Sequence, residues 1–113
     1  MLRKLFVSIL IILTPILANS LSLADNGDGT WNVDYESSVA IGGFQFDVEG
    51  ATVNDASGGD AGANGFLIQA SSPTVLGFNL SGGTVAAGSG TLLVMDVSGT
   101  PTSLSAIIVS NSL

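Results

Sequence analysis

The chain contains no cysteine and no histidine, and its only basic residues, Arg3 and Lys4, stand in the first four positions. Each absence removes a class of chemistry. Without Cys, no disulfide can staple the fold even where the compartment would allow one. Without His or Cys there is no thiolate nucleophile, and a serine nucleophile has no ordinary base. Beyond Lys4 no cation remains to neutralise phosphates, which argues against nucleic acid as a partner. The same lack argues against an anionic membrane surface, and it rules out internal Lys or Arg salt bridges. Helical periodicity is missing too. No segment after residue 20 repeats its apolar residues at helical spacing, and 15 glycines interrupt any candidate.

What is present begins with an address. Arg3 and Lys4 precede an apolar stretch from Leu5 to Ala18 broken by Pro15, and Ala18-Asn19-Ser20 places small residues where a signal peptidase reads. This is the pattern of a secretory signal peptide, residues 1–20, cut after Ser20. The apolar stretch is short of the ~20 residues needed to span a bilayer, so the pattern predicts a secreted, extracellular or cell-surface protein with no membrane insertion after cleavage. Residues 21–113 form one domain. That domain keeps all nine acids and no base, hence a formal charge of −9 where the whole chain carries −7. Nine carboxylates without a counter-charge must be hydrogen-bonded, solvated, or neutralised by a cation or a basic partner.

The clearest local signal is Gly42-Gly43-Phe44-Gln45-Phe46-Asp47-Val48-Glu49-Gly50. Phe44, Phe46 and Val48 fall on one face of a strand, and Gln45, Asp47 and Glu49 on the other. Trp31, Val33 and Tyr35 alternate in the same way with Asn32, Asp34 and Glu36. Asp25-Asn26-Gly27-Asp28-Gly29 reads as the hairpin turn before them. Further short strands are expected at Gly65–Ala70, Thr74–Leu80, Thr91–Val97 and Leu104–Val109. Asp55–Asn64 is expected as a loop and Ser98–Pro101 as a break. About eight strands with frequent turns predict an all-β fold, an antiparallel two-sheet β-sandwich of jelly-roll type. Phe44, Phe46, Val48, Leu93, Met95 and Val97 are its expected core. The last strand, in a charge-free stretch from Val97 to Leu113, is expected either to lie inside the sheet or to pair with another chain, giving a homo-oligomer.

Little of this points to catalysis. Asp34/Glu36 and Asp47/Glu49 could form a carboxylate pair, but acids alternating outward on strands are ordinarily a solvated face. Gln45, Asp47, Glu49, Asp34 and Glu36 are better read as binding-face candidates. If the two acidic rows were neighbours, like charges would oppose each other, and salt or Ca²⁺ would relieve them. No cofactor is required by any residue pattern. Were Ca²⁺ bound, Asp25, Asp28, Asp55 and Asp60, all expected in turns, would be its first ligands. Gly27 and Gly29 stand where an EF-hand loop needs oxygen side chains, so the turn reading is preferred for Asp25 and Asp28. Asn79-Leu80-Ser81 fits the N-glycosylation pattern and is expected to be unmodified in its strand.

Val39–Gly50, with Phe44-x-Phe46-Asp47-Val48 after a glycine pair, resembles the third strand of cohesin modules and related carbohydrate-binding-type sandwiches. The extended run at Thr74–Leu80 and the Gly88-x-Gly90-Thr91-Leu92 entry into an apolar strand are similar as well, so the resemblance covers residues 30–109. It implies a nine-stranded jelly-roll sandwich, here shorter than typical family members, that binds dockerin modules in extracellular complexes. Ile41 and Gly43 stand where many cohesins carry the Asn and Asp that read the dockerin, so no dockerin-reading residue is assigned. Three functions are compatible with the sequence. They are a cohesin-like protein–protein interaction module, a carbohydrate-binding module for a polysaccharide, and a self-assembling surface or filament subunit. Sugar binding would use Trp31 or Tyr35 as an exposed stacking platform.

Overall fold

A computed structural model describes residues 20–111; the leader expected at residues 1–20 lies outside these, apart from Ser20. The elements are β1 (Ser20–Asp25), β2 (Thr30–Ser37), β3 (Gly43–Ser57), α1 (Gly59–Ala63), β4 (Leu67–Ser71), β5 (Thr74–Phe78) and β6 (Gly88–Ser110). All pairings are antiparallel, and the six strands form one sheet in the order β1-β2-β6-β3-β5-β4. The all-β, antiparallel expectation holds. The hydrogen bonding draws one continuous sheet.

Two long strands make that sheet bend. A straight strand of 23 residues, the length of β6, would span about 76 Å, yet the longest dimension of the molecule is 45 Å. The β3–β6 ladder is irregular between Gln45 and Asp47, Glu49 and Ala51, and Val53 and Asp55. Such bulges kink a strand and raise its local twist. Gly88–Asp96 of β6 pairs with β2 and Val94–Ser110 with β3, so Val94–Asp96 are paired on both sides. We call the two parts of this one sheet that share β6 its leaves, β1-β2-β6 and β6-β3-β5-β4. One core joins them: Val33, Leu93 and Met95 from the first leaf, Phe46, Phe44 and Val75 from the second. Phe44 stacks against Phe46 and Phe66, with ring centroids 6.2 and 6.0 Å apart. All six residues expected in the core are buried.

Several expectations need correction. β3 runs on through Gly50, which sits at a bulge with φ +88°. Ser98–Pro101, expected as a break, is carried within β6, and Pro101 lies inside that strand rather than ahead of it. The expected loop at Asp55–Asn64 instead begins as the end of β3 and then forms the single turn of α1, with Ala61 buried. Outside the six strands, Ile41 and Val85 form an isolated bridge. The strand expected through Leu80 stops at Phe78, and Leu80 is 80 % exposed. Asn79 lies beyond β5 and is buried; its side chain donates to the Asn64 carbonyl and accepts from the Ser81 amide, both at 2.8 Å. The last strand is not interior: beyond Val97, β6 is paired with β3 alone among the described residues.

Candidate functional site

Register places the candidate residues. On the outer face of the second leaf, Gln45 lies directly between Leu76 of β5 and Ile108 of β6, and Leu76 lies beside Gln69 of β4. The next row runs Leu67, Phe78, Gly43, Ser110. Leu76 is 38 % exposed and Ile108 59 %. A depression of about 190 Å³ lies here, lined by Gln45, Leu76, Phe78 and Ile108 among others. Asp47 and Glu49 follow Gln45 along β3 on this face. The structure therefore sets Gln45, Asp47 and Glu49 beside an apolar patch that sequence reading missed. The signal was faint: Thr74–Phe78 is apolar on both faces, and only Gly77 betrays which side is inward. A Cβ on Gly77 would lie 2.1 Å from the Phe44 ring, so that side belongs to the core.

The acids are not left to water alone. Thr74 Oγ1 donates to Asp47 at 2.7 Å, Thr91 Oγ1 to Asp34 at 2.9 Å, and Ser105 Oγ to Glu49. Glu36 lies between Ser20 and Ser89 on the neighbouring strands. Hydroxyl donors beside a carboxylate supply the hydrogen bonds that Lys or Arg would otherwise give. Asp34 and Glu36 do not oppose Asp47 and Glu49, because β6 runs between β2 and β3. The like-charge pair is elsewhere: Asp55 of β3 faces Asp96 of β6. Such a pair costs a few tenths to about 1 kcal/mol; Asn54 Nδ2 lies 3.5 Å from Asp96 Oδ1 and donates to Ser98 Oγ at 3.0 Å.

Of the four residues considered for Ca²⁺, Asp25 and Asp28 share the first turn and are used by it. Asp25 accepts from the Gly27 amide at 2.8 Å. Asp28 accepts from the Thr30 hydroxyl at 2.6 Å and the Thr30 amide at 3.0 Å. These bonds, the hydroxyl's foremost, hold the Asp28 carboxyl below its ordinary pKa. Asp55 lies in β3 and Asp60 in α1. Among the described residues, no three acidic side chains converge in a way that could hold an ion.

Asp60 has another partner. The Tyr35 hydroxyl donates to Asp60 Oδ2 at 2.6 Å, tying α1 to β2 beside a groove of about 380 Å³ lined by Ser20, Ser22, Asp34, Glu36, Ser89 and Thr91 among others. That hydrogen bond, with burial and the Asp60 charge behind it, pushes the Tyr35 phenol up to about 12. An acid whose folded pKa is raised contributes stability that is complete below its unfolded pKa of about 10 and is lost as pH rises through about 12. The hydroxyl end meets a solvent groove, so we expect about 1 kcal/mol from it rather than the full linkage value. Tyr35→Phe should lower stability by that amount at neutral pH and flatten the loss between pH 10 and 12. Urea midpoints across that range measure it; an unchanged slope would contradict the assignment.

Of the two aromatic residues considered for sugar stacking, Tyr35 is 6 % exposed and Trp31 packs, partly buried, against the core. Compared with protein-family models, curated proteins and solved structures, the chain matches none of them.

Proposed function

We propose that this is an extracellular, non-catalytic interaction module, a cohesin-like two-layer sandwich made by folding one sheet, which docks a protein partner on the outer face of the β6-β3-β5-β4 leaf. One observation carries the reading: exposed Leu76 and Ile108 flank Gln45, with exposed Leu67 in the next row, on a face where the remaining charges, Asp47 and Glu49, are acidic. The described residues contain no Lys or Arg, so charge complementarity asks for a partner that brings apolar side chains ringed by basic groups. Docking of this kind requires no cofactor. The extracellular setting rests on the Arg3/Lys4 and Leu5–Ala18 leader pattern.

Leu76→Asp tests it. Leu76 is on β5, inside the leaf and partly exposed, so the variant keeps its fold. It puts a charge in the centre of the patch, where an anchoring contact is worth about 2 kcal/mol or more, roughly thirtyfold in affinity. Wild-type and variant proteins are immobilised and exposed to the medium of the source culture. The expected result is a basic protein held by the wild type, released by salt, and lost from the variant. Equal recovery on both, or none on either, would overturn the reading. Retention on insoluble polysaccharide with no effect of Leu76→Asp would instead favour sugar binding, for which the groove beside Asp34 and Glu36 offers hydroxyls and carboxylates but no free aromatic platform.

A further inference from the structure

The two borders of the second leaf pair with no further strand among the described residues, carry no charge, and run in opposite directions. Among the described residues, β4 pairs only with β5, and β6 beyond Val97 pairs only with β3. β4 (Leu67–Ser71) and the run of β6 after Asp96 hold no charged residue. Exposed edges are normally guarded by Lys, by inward charge or by proline. β4 has none of these. In β6, Pro101 and a bulge at Ala106, with φ +49°, precede Ile107–Ser110 and leave those residues unguarded. β1, by contrast, ends in Asp25.

We infer that copies of this chain add to one another edge to edge, β4 of one copy pairing with Ile107–Ser110 of the next, so that the leaf continues from copy to copy. Strand direction allows it. β6 and β5 are each antiparallel to β3, and β4 is antiparallel to β5. β4 therefore runs opposite to β6, and a neighbour brought up alongside keeps the antiparallel alternation. Side-chain chemistry matches as well. The outer row Gln69–Leu76–Gln45–Ile108 would continue into the next copy. The inward residues of β4, Ile68 and Ala70, would face a groove of about 360 Å³ that runs beside this border, lined by Ser20, Leu21, Ile107 and Val109. A second copy fits better than a basic partner at these borders, since neither border carries a charge for such a partner to meet. Pairing of unlike edges is heterologous and does not close, so the product is an open chain of subunits.

Two blocked variants test this. Gln69→Asp charges the β4 border and Ile108→Asp the β6 border; both residues are exposed. The full chain, processed by its producing cell, is followed by sedimentation velocity over a wide concentration range. Wild type should grow in size with concentration, and each variant alone should stay a monomer. An equimolar mixture of the two variants should give a species of twice the monomer mass and nothing larger, because each supplies the border that the other lacks. Melting curves confirm that both variants are folded; should either fail, Ser71→Asp or Ile107→Asp replaces it. A wild type that stays monomeric throughout overturns the inference. So does a mixture without the dimer, or Gln69→Asp dimerising by itself, which would mean β6 pairs with β6. Leu76→Asp, away from both borders, should leave this assembly unchanged, which separates it from the docking surface.

Discussion

Phe46→Ala is expected to cost about 3–5 kcal/mol, a large share of the roughly 5–15 kcal/mol that holds a small domain together. Phe46 is fully buried, stacked on Phe44, and carried on β3, the strand that holds β5 on one side and β6 on the other. It belongs to a buried cluster that draws residues from both leaves, so its loss leaves a cavity in that shared core. No disulfide can offset this. The melting temperature should fall by more than about 10 °C, whereas Leu80→Ala, at an 80 % exposed position, should leave it almost unchanged. A Phe46→Ala protein that melts with the wild type would mean the two leaves do not share one core.

Alternation carried most of what the sequence could say about this core. Phe44, Phe46 and Val48, and Leu93, Met95 and Val97, each reveal an inward face without knowledge of a neighbour. Bulges were not legible. Ser98-Gly99-Thr100-Pro101 has the composition of a turn, and only the matching irregularity at Glu49–Ala51 on the paired strand shows that it is a kink in a continuing ladder. A single turn of helix such as α1 is too short to display a period. The candidate site was half legible for a related reason. Gln45, Asp47 and Glu49 announce an outward row by themselves. That Leu76 and Ile108 flank Gln45 depends on pairing across 31 and 63 residues of chain, which nothing local encodes. The hydroxyl partners of the acids are hidden in the same way, since Thr74, Thr91 and Ser105 meet their carboxylates only through register.

Gly59→Ala should be the other large loss, by a different route. Gly59 has φ +62°, a region that costs an L-residue about 1–2 kcal/mol. A Cβ there would lie 2.5 Å from the Leu92 carbonyl oxygen, 2.6 Å from its carbon and 2.7 Å from the Leu93 nitrogen. All three atoms are backbone of β6, so no side chain can rotate aside, and overpacking of this kind adds about 1–3 kcal/mol. The total expected is about 2–5 kcal/mol. The damage reaches the groove beside Asp34, because Gly59 opens α1 and the next residue, Asp60, accepts the Tyr35 hydroxyl. Displacing α1 should free that phenol, and its alkaline titration should move back from about 12 toward the ordinary tyrosine range. Gly62 supplies the control. It lies in the same turn of helix with open space around its Cα, so Gly62→Ala should stabilise by up to about 1 kcal/mol through helix propensity. Urea midpoints should thus move in opposite directions for two Gly→Ala changes three residues apart. If both move the same way, or Gly59→Ala leaves the Tyr35 titration in place, then the contact of α1 with β6 does not hold Asp60 on Tyr35.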